Sequence, residues 1–264
     1  SNTARTDVYQ YSSGGGLTGC SLPGGGGEGM VVDPTKNLAY IATCCDVGQV
    51  RIYDYNLATF LTPIQLPAGE DILDISISGP ADNYGFIYVS TYKNFYKIST
   101  TSRSVVATVP KTSLVNNTTA DFWGSAVNNN NTRAFFSTNW KKGSGTSTIE
   151  SLPTTFTNTS TSTLFATAPS GFHYRGIIFD ATGNLWAVAA HDNNSVPDRI
   201  YKYNSSGTLL NTYLFPTPIA NSVPATGKVD PYDLAFGPDQ NLYVTTFAGD
   251  CVTKFNVTNN TFST

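Results

Sequence analysis

A four-strand unit recurs along this chain every 45–55 residues, roughly, and nothing else in the sequence narrows the fold as much. The clearest copies are Gly176-Ile-Ile-Phe-Asp-Ala-Thr-Gly-Asn-Leu-Trp-Ala-Val188 and Asp233-Leu-Ala-Phe-Gly-Pro-Asp-Gln-Asn-Leu-Tyr-Val244. Each is followed by a third strand, Arg199-Ile-Tyr-Lys-Tyr-Asn204 or Cys251-Val-Thr-Lys-Phe-Asn256, and by a fourth, Thr208–Tyr213 or Thr261–Thr264. Weaker copies begin at Gly29, Asp74 and Gly124. Short runs rich in β-branched and aromatic residues alternate throughout with Asn, Gly, Asp and Pro, which read as turns. No amphipathic helical pattern competes.

Four-stranded units at this period predict an all-β chain folded as a β-propeller. A single blade has two apolar faces and buries neither alone. Stacking blades around an axis buries both, with the first strand of each blade lining a central channel. Asp7-Val-Tyr-Gln-Tyr-Ser-Ser-Gly-Gly-Gly16 matches the third-strand pattern of Arg199–Gly207. It predicts strands C and D of a blade that lacks A and B. The expected molecule is therefore a six-bladed type of propeller in one domain, 1–264. Residues 1–22 form a half blade, and whole blades cover 23–67, 68–110, 118–169, 171–216 and 228–264. Strand addition from a second copy, or from a flanking segment of a longer chain, would complete the half blade and propagate into a filament. The chain begins at Ser1 without Met, and reads as a processed or excised piece.

Only 12% of the residues are charged, and the net charge is −3. The polar groups facing solvent must come from Ser, Thr and Asn. No basic run exceeds Lys141-Lys142, so a nucleic-acid partner is not expected. No apolar stretch approaches the length of a membrane span. Four cysteines, Cys20, Cys44, Cys45 and Cys251, lack metal-knuckle spacing and are disulfide candidates. Cys20 is expected to pair with Cys44 or Cys45; a vicinal Cys44–Cys45 bond and a Cys251 bond are the alternatives. Sequons begin at Asn116, Asn117, Asn130, Asn158, Asn193, Asn204, Asn256 and Asn259. Together these features predict a secreted, extracellular glycoprotein.

Residues 171–264, through the G-I-x-F-D-x-x-G-N-L-W/Y-V core and the R-I-Y-K-Y strand, resemble the NHL-repeat, SMP-30/gluconolactonase and streptogramin-lyase-like group of six-bladed propellers. That resemblance implies a metal at the channel mouth, held by Glu, Asn and Asp at the third position of three first-strand lead-ins. The lead-ins here are Gly26-Gly-Glu-Gly29, Asp71-Ile-Leu-Asp74, Asp121-Phe-Trp-Gly124, His173-Tyr-Arg-Gly176 and Asp230-Pro-Tyr-Asp233. Glu28 matches one ligand. The other third positions hold Leu73, Trp123, Arg175 and Tyr232, none of them a good ligand for a hard cation. The first positions offer Asp71, Asp121 and Asp230, which with Glu28 are the candidate calcium ligands. The alternative is that these aspartates only start strands through Asx-turns. No other cofactor is expected.

A streptogramin-lyase-like site also implies a pair of histidines near a Glu. His173 and His191 are the only histidines, and they are expected at different depths, one before the first strand and one after the second strand of the same blade. Trp186 reads as core and Trp140 as exposed. The glycine run Gly24–Gly27 reads as a turn. No residue is assigned a catalytic role. The expected function is an extracellular structural or interaction module whose partners are copies of itself or glycans. The alternatives are a metal-dependent hydrolase or lyase of the SMP-30/streptogramin-lyase type, and a carbohydrate-binding lectin.

Overall fold

The structure, a computed structural model, describes residues 7–11, 17–21, 26–44, 48–115, 121–139, 141, 143, 145–193, 195–216, 229–247 and 251–263, with backbone alone for 7–11, 17–21, 26 and 27. It is a β-propeller of five four-stranded antiparallel blades. The first comprises β3 (Gly26–Asp33), β4 (Leu38–Cys44), β5 (Gln49–Asp54) and β6 (Thr59–Gln65). The second is β7 (Ile72–Ile77), β8 (Phe86–Thr91), β9 (Asn94–Ser99) and β10 (Ser104–Pro110). The third is β11 (Phe122–Val127), β12 (Arg133–Thr138), β13 (Thr148–Pro153) and β14 (Thr163–Thr167). The fourth is β15 (Phe172–Phe179), β16 (Leu185–His191), β17 (Arg199–Tyr203) and β18 (Leu209–Leu214). The fifth is β19 (Pro231–Phe236), β20 (Leu242–Thr246), β21 (Cys251–Asn256) and β22 (Thr261–Ser263). The innermost strands β3, β7, β11, β15 and β19 pack side by side in that order.

Apolar clusters fill the spaces between consecutive blades. Tyr40 and Ile52 meet Ile75 and Val89 between the first two. Tyr88 and Phe95 meet Phe122 and Phe136 between the next two. Phe135 meets Tyr174 and Ala187, and Trp186 meets Leu234 and Phe255. Burying both faces of each middle blade is what drives the stacking. Among the described residues no such cluster joins the fifth blade to the first. Met30 and Val32 on β3 and Val252 on β21 stay exposed.

The expected half blade is corrected. The N-terminal strands β1 (Asp7–Tyr11) and β2 (Leu17–Ser21) pair with each other and with no other strand among the described residues. The likeness to a C–D pair specifies a hairpin. A blade also needs an A–B pair at the hairpin's edge, and β19–β22 are already committed to one another. The propeller has five blades, not six with a half.

Candidate functional site at the channel mouth

Every innermost strand slips register with its neighbour at one equivalent point: between Gly27 and Gly29, Ile72 and Asp74, Phe122 and Ser125, Tyr174 and Ile177, and Pro231 and Asp233. The skipped residues include Glu28, Leu73, Trp123, Arg175 and Tyr232. A bulge leaves a residue outside the ladder and re-aims its side chain. The third lead-in position is thus a bulge in all five blades.

Tyr232 is the hub of these residues. Its hydroxyl donates to Glu28 Oε2 at 2.9 Å, and its ring meets Trp123 edge-on with centroids 4.7 Å apart. The Arg175 guanidinium lies 6.0 Å from the same ring. Phe247, 71% exposed, stacks beside it at 6.3 Å. Arg175 also pairs with Asp230 at 3.0 Å and donates to the Pro231 carbonyl at 3.2 Å. Leu73, Trp123 and Arg175 are buried, and the contacts of Tyr232 with Trp123 and Glu28 join the innermost strands of the third, fifth and first blades. Burial raises the Glu28 carboxyl above its ordinary value, while the Tyr232 bond draws it back down.

The lead-in aspartates Asp71, Asp121 and Asp230 immediately precede β7, β11 and β19. Asp121 meets Lys111 at 3.3 Å and Lys141 at 4.0 Å. Asp230 faces Arg175. Burial raises the Tyr92 hydroxyl above its ordinary value, and the charges of Asp71, Glu28 and Asp121 raise it further. The Lys141 ammonium lies 5.2 Å from the Tyr92 ring. Among the described residues no three His, Cys, Asp or Glu side chains come together to hold an ion. The candidate calcium set Glu28, Asp71, Asp121 and Asp230 therefore shares one end of the channel without converging.

One residue further along each strand lies a layer that the sequence reading missed: Gly29, Asp74, Gly124, Gly176 and Asp233. Asp74 Oδ1 accepts from the Ile75 N–H at 2.7 Å, and Oδ2 from the Ser125 N–H at 2.6 Å. Burial, then the neighbouring Asp233 charge, holds Asp74 well above the usual carboxylate range. Burial pushes Asp233 up to about 6 against one opposing hydrogen bond from the Leu234 N–H. A Cβ on Gly29 would lie 2.9 Å from Asp74 Oδ1, and one on Gly176 would lie 2.4 Å from Asp233 Oδ1. The glycines make the space the carboxylates fill. A fourth lead-in position that holds only Gly or Asp in all five blades was the available signal.

The two histidines have different described partners. His173 is buried, with Nδ1 against the Asn139 carbonyl at 2.8 Å and Nε2 2.9 Å from Asp192. His191 packs edge-on to Phe172 and accepts the Asn193 N–H. Trp186 is core, as expected, and donates to Asp180 at 2.9 Å. Cys251 is corrected: it is a free thiol, with Sγ 3.3 Å from the Thr246 hydroxyl. Cys44 is disulfide-bonded to a partner outside the described side chains. The Cys20 side chain, Cys45, Trp140, and the sequons at Asn116 and Asn117 also lie outside what is described. Asn130, Asn158, Asn193 and Asn259 are exposed, and Asn204 and Asn256 are partly so. Among the described residues no helix is long and apolar enough to cross a membrane.

No protein-family model matches the chain, and no curated protein matches it. Solved structures do. Hydrazine synthase of Kuenenia stuttgartiensis superposes with a TM-score of 0.69 at 12% identity, over 95% of this chain and 70% of that one. A streptogramin B lyase gives 0.64 at 14% identity, over 98% and 72%. A catalytically inactive variant of virginiamycin B lyase from Staphylococcus aureus, with quinupristin, gives 0.63 at 14%, over 98% and 73%. At these identities the likeness concerns architecture, and the chain has a streptogramin-lyase-like β-propeller fold.

Proposed function

We propose that this propeller is an extracellular interaction module that binds through its channel mouth and does not turn substrate over. The observation that carries this reading is the bulge ring. Its five positions hold Glu28, Leu73, Trp123, Arg175 and Tyr232, and Glu28 already accepts the Tyr232 hydroxyl. A Lewis-acid site needs open oxygen ligands, whereas this ring offers aromatic faces and a guanidinium. Placement of Asn130, Asn158, Asn193 and Asn259 on exposed turns supports a glycosylated surface. Oxidation of Cys44 supports an extracellular compartment. The uncovered flanks bearing Met30, Val32 and Val252 support contact with further copies. The test is turnover of simple lactones by purified protein, with and without added divalent metal, beside Glu28→Gln. No turnover is expected from either protein. Metal-dependent turnover lost in Glu28→Gln would establish the SMP-30-type hydrolase alternative instead.

A second reading, carbohydrate binding, is favoured by Phe247. An exposed ring stacked beside Tyr232, whose own ring lies 6.0 Å from the Arg175 guanidinium, is the platform a sugar face uses. Glycan-array binding that disappears in Phe247→Ala would establish it.

A further inference from the structure

Beyond the bulge ring lies a pocket of about 260 Å³, open to solvent on one side and lined by residues of all five innermost strands. Asp74 and Asp233 both face it, and no Lys, Arg or His is among its lining residues. Arg175, in the adjacent bulge ring, is turned to Asp230 and the Pro231 carbonyl. Two carboxylates thus line one pocket that holds no basic side chain. A second feature points to the same place. Ser76 lies two residues beyond Asp74 on the same face of β7 and lines the cavity. It is 8% exposed, and its buried Oγ has no hydrogen-bond partner. A hydroxyl in that position ordinarily finds a partner, and leaving it without one is costly.

We propose that the channel binds a divalent cation between Asp74 and Asp233, with the Ser76 and Ser125 hydroxyls as neutral oxygen donors. Charge decides the class: two carboxylates balance one double positive charge. Lone pairs remain for it. Each carboxylate offers about four acceptor sites, and the N–H donors from Ile75, Ser125 and Leu234, with the Ser125 hydroxyl at 3.3 Å from Asp74 Oδ2, use only some of them; that hydroxyl keeps its oxygen lone pairs for the cation. Volume decides the ligand number. At about 30 Å³ per water, the cavity admits an ion together with several waters. Calcium tolerates such a mixed, irregular oxygen shell, whereas magnesium demands a tight octahedron. This site lies behind the mouth, uses none of Glu28, Asp71, Asp121 and Asp230, and does not depend on what the mouth binds.

The test uses the full chain stripped of metal, with calcium chloride as the probe at neutral pH. Calorimetric titration and thermal unfolding are both read. Saturating calcium is expected to raise the unfolding midpoint by roughly 5 °C or more. Asp233→Asn keeps the Leu234 hydrogen bond and the side-chain volume, so it is expected to fold and to bind calcium at least about tenfold more weakly. Ser76→Ala should weaken binding by about threefold. Asp121→Asn should leave binding unchanged. Absence of both heat and midpoint shift in the wild-type chain would overturn the proposal. So would an undiminished response in Asp233→Asn, or a response lost in Asp121→Asn.

Discussion

Tyr232 donates to Glu28 across almost the whole length of the chain, and this 2.9 Å bond ties the innermost strand of the fifth blade to that of the first. Tyr232→Phe removes the donor and leaves a half-buried carboxylate one bond short. The expected cost is about 1–2 kcal/mol in urea unfolding at pH 7. Glu28→Gln retains an acceptor for the phenol and should cost less. The pH dependence follows from the direction of the shift. Folding raises the Glu28 carboxyl above 4.5, so the folded state binds its proton more tightly than the unfolded one. Its contribution therefore falls as pH rises from 4.5 through the folded value. Removing the Tyr232 bond raises that value further, so the deficit of Tyr232→Phe should be larger at pH 7 than at pH 4. An equal deficit at both would show that the bond does not act through the carboxylate's charge.

Asp180 explains why the repeat reads as it does. Its carboxylate accepts from Thr182, Asn184 and the Trp186 indole, and Lys202 lies 3.6 Å away. In the fifth blade Asp239 takes over, accepting from Asn241, Tyr243 and Lys254. The acid, the second-strand aromatic and the third-strand lysine form one cluster, with Lys202 over Trp186 and Lys254 over Tyr243. Asp180→Ala would strand the indole N–H and the Asn184 amide, and should cost about 2–3 kcal/mol. Partial burial works to raise the Asp180 carboxyl, but these donors together outweigh it and bring the folded value down to about 2 from 3.8. Its stabilisation is present above pH 4 and is lost as pH falls toward 2. Acid unfolding of Asp180→Ala should accordingly be flatter between those limits. Denaturant titration at several pH values, followed by tryptophan fluorescence, checks both statements.

The motif residues were legible because their partners lie within one blade, a few residues or one strand away. Gly183, Asn184 and Trp186 announce a turn and a strand by local chemistry alone, and the five blades follow from repeating them. The Tyr232–Glu28 bond and the Asp74–Asp233 pair were not legible. They join residues from different blades, and periodicity says nothing about which side chains meet across the axis. The lead-in aspartates were found by position, but their partners Lys111 and Arg175 become visible only once neighbouring strands are placed. The N-terminal hairpin misled for the opposite reason. Its local pattern matches a C–D pair, and local pattern does not carry edge pairing.

Exposed sequons give a separate test of compartment. Asn158 and Asn193 are exposed, and Asn158 is further held by its Oδ1 accepting the Thr108 N–H. Its Nδ2, the atom a glycan would use, takes no part in that bond. Material secreted from a eukaryotic host is expected to run heavier than 28.3 kDa and to lose mass on enzymatic deglycosylation. An intact mass equal to that of the bare polypeptide would remove the glycoprotein reading.

Gly124 and Gly183 are glycine for different reasons, and substitution separates them. A Cβ on Gly124 would lie 2.3 Å from the Arg175 carbonyl oxygen and 3.0 Å from Gly176 Cα. Both contacts are backbone, so no side chain can swing away; β11 and β15 would have to part. Gly124→Ala should cost at least about 2–3 kcal/mol, the scale of overpacking in a closed core. A methyl on Gly183 would meet nothing within 4 Å, but the residue sits at φ +84° in the turn between β15 and β16. Gly183→Ala meets only backbone strain, about 1 kcal/mol. Parting β11 from β15 would also disturb the Asp74–Ser125 hydrogen bond that fixes one wall of the channel cavity. Gly124→Ala should therefore weaken calcium binding as well as stability, while Gly183→Ala should lower stability and leave calcium affinity untouched. Thermal unfolding with and without calcium reads all four outcomes, and equal losses in the two variants would mean that the innermost strands have room to move apart.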